Sequence, residues 1–157
     1  MTTVLFSTKS GLFPWLIRRF TGSRASHSLI GLEISGVPVV LHATVGGVQI
    51  THRKKWERAN HVIREFRPKQ RPNLEAAVEM LNTKYDYLAL FGFAWAIALW
   101  RIFRVKVRNP LASASNVVCS EFLLVLDIPD WRGLDPTTTT SETLLANIGD
   151  GFEEIRH

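Results

Sequence analysis

The chain has 157 residues, 46% of them hydrophobic and 21% charged, with a formal net charge of +5 at pH 7 and one cysteine. This composition excludes a disordered chain, and the lone thiol excludes an internal disulfide or a multi-cysteine zinc site. The length suits a single domain, residues 1–157, with a core of useful size.

In chain order, Val4–Thr8 reads as a short strand. Gly11 breaks it ahead of a basic-aromatic helix, PWLIRRFT, with Pro14 in the first turn. Ser26–Ile34 and Val39–Thr44 read as two strands joined by the turn SGVP, and the glycines at 46 and 47 lead into VQI. A hairpin turning about Gly36 sets residue 27 opposite 45 and 29 opposite 43, so His27 and His42 become near neighbours. HRKKWERA suggests a short exposed helix, and His61–Arg67 an edge strand stopped by Pro68. Asn73 caps a helix carrying Leu74, Ala77, Val78 and Leu81 at helical spacing.

The apolar stretch Tyr87–Trp100 spans 14 residues between Asp86 and Arg101. A membrane-spanning helix needs about 20, so the stretch predicts a buried helix and no transmembrane segment, with an interfacial segment as the alternative. Thr139 and Glu142 have capping-box spacing before SETLLANI. Strands come first and most helix later, which predicts an α+β fold.

The positive charge favours cell-wall polymer, a membrane surface or nucleic acid as surroundings. The basic residues are scattered over Arg18–Arg24, Arg53–Lys55 and Arg101–Arg108, without a recognition-helix or zinc-finger pattern, so no specific nucleic acid is expected. The N-terminus lacks the features of a secretory signal, which predicts a protein that is cytoplasmic when made. No HExxH or comparable ligand spacing is present, and no metal or cofactor is expected.

Cys119 follows a small polar run, ASASN, and opens the apolar run EFLLVL, which is the first turn of a predicted helix. Partial positive charge there lowers a thiol pKa and favours the nucleophilic thiolate. A free cysteine can equally serve as a small buried hydrophobe. A nucleophile needs a base, and His27 and His42, on strands expected to pair, are the candidates. Either could instead be a half-buried strand residue, and His52, His61 and His157 lie in charged or terminal segments.

Taken together, SH at 26 and 27 before SLIGLEI, YDYLALFGF at 85–93 and NVVCSEFL at 116–123 resemble the circularly permuted branch of the NlpC-type papain-like cysteine hydrolases. In that branch the histidine precedes the cysteine. GLFPWLIRRFTGSRASH, HVIREFRP and the C-terminal DPTTTTSETLLANIGDGFEEI extend the likeness over most of the chain.

The resemblance implies a permuted papain-like fold, a small antiparallel sheet packed against helices. It implies Cys119 as nucleophile, His27 as base and His42 as the third, orienting residue, where relatives carry a carboxylate. A histidine can orient only through its unprotonated nitrogen. Glu121, Tyr85 and Asp86 also match and are read as structural. The implied activity is thiol-dependent hydrolysis of amide or peptide bonds, first of all in peptidoglycan, with a phage virion component such as a tail tip as one setting and virion proteins as partners. The alternatives are a lipid-directed thiol acyltransferase or hydrolase, and a non-catalytic module of a larger assembly.

Overall fold

A computed structural model describes residues 1–11, 15, 24–44, 47–81, 122–135 and 139–155. Cys119, the apolar stretch at 87–100 and most of the basic-aromatic segment at 12–23 lie outside the described residues.

The described chain builds one antiparallel sheet of six strands in the order β4-β3-β2-β1-β5-β6. The strands are β1 (Thr2–Thr8), β2 (His27–Ile34), β3 (Val37–Thr44), β4 (Gly47–His52), β5 (His61–Pro68) and β6 (Phe152–Ile155). Short helices intervene: α1 (Arg53–Glu57), α2 (Leu74–Glu79) and α3 (Ser141–Ala146), with a 3-10 turn at Pro129–Trp131.

β1 lies between β2 and β5 and is covered on both faces, so its central residues Val4, Leu5 and Phe6 are all fully buried. A strand sandwiched in this way needs a continuous apolar run rather than alternation. Its even positions, Val4 and Phe6, join Ile30, Leu41, Phe66, Phe122, Leu126, Trp131, Leu144 and Phe152 in the larger core. Leu5 instead joins Leu29, Val40 and Trp56 on the other face.

The larger core has an aromatic spine. Phe6 meets Phe66 at 6.0 Å and Phe66 meets Phe152 at 6.2 Å between ring centroids, both edge to face, and Trp131 lies 5.0 Å from Phe152. The indole Nε1 of Trp131 donates to the Leu144 carbonyl at 3.1 Å, which ties α3 to this spine.

The expected α+β arrangement, a small sheet packed against helices in a permuted papain-like fold, is corrected by these observations. The described residues are mostly antiparallel sheet, and α1, α2 and α3 have only five, six and six residues. The C-terminal segment contributes much of the difference. FEEI, taken with the helical ending, docks instead as β6 against β5, so β5 is an interior strand rather than an edge. Arg64–Glu154 at 2.7 Å and Arg67–Glu153 at 3.4 Å are cross-strand ion pairs along that seam.

Local signals fared better. Asn73 Oδ1 accepts from Ala76 N at 3.3 Å, as an N-cap should. The cap of α3 falls one residue later than the spacing suggested: Thr140 Oγ1 accepts from Thr143 N at 3.2 Å, while Thr139 Oγ1 donates to the Asp135 carbonyl at 2.7 Å.

Candidate functional site

The β2–β3 hairpin positions the two histidines. Ser35 and Gly36 both take left-handed backbone, with φ of 50° and 78°, the signature of a two-residue type I′ turn. Ile34 therefore pairs with Val37 and Ile30 with Leu41. Continued along the strands, this register sets Leu29 opposite His42 and His27 opposite Thr44. The expected pairing of 27 with 45 is off by one residue. Because strand side chains alternate with a period of two, that one step decides the face. In the observed register His27 and His42 share a face as diagonal neighbours.

Their rings meet edge to face, with centroids 5.9 Å apart and planes at 81°. His42 is buried, with 8% of its surface exposed, and His27 is half-buried. Burial first, and the neighbouring His42 second, lower the pKa of His27 from 6.5 to about 4. Burial likewise lowers that of His42. Both rings are therefore neutral at pH 7 and have a lone pair to offer a proton.

Three further residues, none of which the sequence reading singled out, complete this face. Thr51 on β4 pairs with Val40, which puts it diagonal to His42, and its Oγ1 lies 3.1 Å from His42 Nε2. Trp56 of α1 stands 6.4 Å from the His42 ring. Ser7 on β1 pairs directly with His27; it is fully buried, and its hydroxyl has no hydrogen-bond partner among the described residues. The signal for all three was positional, because each falls on the His27 face only once the strand order is known.

α1 was expected to be exposed, yet Trp56 is 4% exposed, and a buried fork holds the helix down. Arg53 Nη1 and Nη2 donate to Glu65 Oε1 and Oε2 at 2.8 and 2.7 Å, and Arg53 Nε donates to Glu57 at 2.7 Å. Thr3 Oγ1 donates to Glu65 Oε1 at 2.7 Å. These bonds satisfy the buried carboxylate from the helix and from β1. They hold the Arg53 pKa above its ordinary value, the Glu65 hydrogen bond being the largest cause. His52 caps the same helix, its Nδ1 accepting from Lys54 N at 3.2 Å. His61 is exposed at the start of β5.

Residues 122–126 belong to the opposite face. Phe122, Leu123 and Leu126 are all fully buried in the larger core with Ile30 and Leu41. His27, which alternates with Ser28 and Ile30 along β2, points to the other side. Among the described residues no group of three His, Cys, Asp or Glu side chains is arranged to hold a metal ion. No described helix is long and apolar enough to cross a membrane.

Fold and site together define an antiparallel β protein with a pair of neutral histidines on the smaller-core face of its sheet. Neither protein-family models nor curated proteins match the chain.

Proposed function

We propose that the chain is a thiol-dependent hydrolase of amide bonds in which Cys119 is the nucleophile, His27 the base and His42 its supporting neighbour. The observation that carries this reading is the His27–His42 pair, two buried or half-buried imidazoles in ring contact at 5.9 Å. A neutral imidazole in a desolvated place accepts a proton readily only if an anion appears beside it. A thiolate made by the same transfer is such an anion, and Cys119 is the one thiol in the chain.

In the reaction the Cys119 proton passes to His27 and the sulfur bonds to the amide carbonyl carbon. The C–N bond breaks as His27 returns the proton to the leaving amine. Water then hydrolyses the thioester and regenerates the thiol. The resemblance to permuted NlpC-type cysteine hydrolases supplies peptidoglycan as the substrate to try first, and a virion as a setting that would suit a small basic hydrolase.

The reading sets a geometric requirement. Phe122 packs on the face opposite the histidines, and three residues extend at most about 10 Å. For the hydrolase to work, the thiol would have to reach His27 round the end of the sheet where β2 begins. The same packing favours a second reading, in which the sheet is a non-catalytic module of a larger assembly. Turnover on purified sacculi, with the pH dependence of Cys119 alkylation by iodoacetamide, separates the two. An alkylation midpoint below about 7.5, raised by His27→Ala, supports the hydrolase. A midpoint near 8.5 without turnover supports the module.

A further inference from the structure

The orphaned hydroxyl of Ser7 bears on how His27 would carry a proton. Ser7 is fully buried near the end of β1, beside the irregularity between Phe6 and Ser7 in the β1–β5 pairing. Its Oγ has no hydrogen-bond partner among the described residues. A buried hydroxyl without a partner is unfavourable to the fold, and a fold that keeps one calls for an explanation. An alanine at this position would remove the penalty at no cost in packing volume beyond one oxygen.

The register supplies a candidate for what the hydroxyl is for. Ser7 pairs directly with His27, so the two side chains leave the same face of neighbouring strands. Directly opposed Cβ atoms in an antiparallel pair lie about 5 Å apart, within reach of a serine hydroxyl and an imidazole nitrogen. A neutral imidazole has one N–H; a protonated one has two, and each needs an acceptor. His42 meets the ring edge to face.

We propose that Ser7 is a positioning residue for His27, its hydroxyl accepting an imidazole N–H when that ring takes up a proton. This rests on the reading of His27 as the base and names the group that steadies it in the charged state. Among the described residues, His42 faces His27 from β3, Glu65 on β5 is bound by Arg53 of α1, which also holds Glu57, and His61 opens β5 opposite Thr8, the neighbour of Ser7. The hydroxyl is thus idle in the resting state and used only in the protonated one.

The test compares the full chain with Ser7→Ala and with the near-isosteric Ser7→Cys. Three quantities are measured: thermal midpoint, the NMR titration of the His27 ring protons, and turnover. The expected result is an unchanged or raised thermal midpoint in Ser7→Ala, because a buried unpaired hydroxyl is gone. The His27 midpoint should fall by about one pH unit, with a roughly tenfold loss of turnover. Ser7→Cys, a weak hydrogen-bonding group, should behave like alanine in both functional readouts.

A lowered thermal midpoint with an unmoved His27 titration would make Ser7 an ordinary structural residue and overturn the proposal, as would an unmoved titration alone. If the titration shifts as expected while wild-type Cys119 alkylates like a free thiol, the Ser7–His27 relationship stands and the hydrolase reading fails by itself.

Discussion

The imidazole of His27 stands edge to face against that of His42, centroids 5.9 Å apart, in a part of the sheet that disfavours charge on either ring. The pair is therefore a liability in acid. Well above pH 6.5 both rings are neutral folded and unfolded and contribute no pH dependence. Between pH 6.5 and about 4 the unfolded chain binds a proton at residue 27 that the folded chain does not, so stability falls as pH falls.

Denaturant midpoints at pH 7.5, 6, 5 and 4 should show this loss, His27 contributing at most about 3 kcal/mol and His42 adding in the same direction. His27→Gln should flatten the curve over this window. A wild-type midpoint that holds steady from pH 7 to pH 4.5 would contradict the burial argument.

The Arg53–Glu65 fork should be the most sensitive ion pair among the described residues, since Glu65 is 1% exposed. Arg53→Ala removes the cation that faces the buried carboxylate and should cost about 3–5 kcal/mol in urea unfolding. Arg64→Ala breaks the pair with Glu154, in which both side chains are 42% exposed, and should cost no more than about 1 kcal/mol. Replacing Arg53 and Glu65 together with apolar residues should recover most of the loss, because the penalty comes from the orphaned charge.

Gly31 faces Thr3 across the β1–β2 pair, and a Cβ there would meet Thr3 Oγ1 and stand 2.8 Å from Leu5 Cδ1. Gly31→Ala should destabilise by about 1–3 kcal/mol through overpacking. It should also be non-additive with Thr3→Ala in a double-mutant cycle, because the hydroxyl it displaces is the one that donates to Glu65.

Proximity of Cys119 to His27 can be tested without a substrate. In the variant His27→Cys, a short bifunctional thiol reagent should link residue 27 to Cys119 within one molecule, seen as a single added mass with both thiols consumed. Two independently modified thiols would place Cys119 away from the sheet end and favour the non-catalytic module.

His42 has a supporting role, so His42→Ala should lower turnover less than Cys119→Ser or His27→Ala does. His42→Asn should retain activity by keeping a polar group beside Thr51, whose hydroxyl lies 3.1 Å from His42 Nε2. Turnover of His42→Ala equal to wild type across pH 5–8 would reduce the site to Cys119 and His27.

Period-two patterning, turn residues and caps were legible in the chain before any fold was known, because each is a local property of neighbouring residues. They located β1 through β5, the Asn73 cap and the α3 helix to within a residue or two. They also brought His27 and His42 forward as a pair. The face on which that pair stands was not legible. It depends on whether the hairpin turns about one residue or two, and the left-handed φ of both Ser35 and Gly36 settles this in favour of two.

Nor could the sequence show that β5 is an interior strand, since FEEI becomes β6 only by pairing with residues roughly 90 positions earlier. Strand and helix pairing likewise brings Ser7 opposite His27, Thr51 beside His42 and Glu65 under Arg53. Each of these residues is unremarkable in its own stretch of sequence. Their roles arise from strand order, which is fixed by burying two apolar faces at once rather than by any local signal.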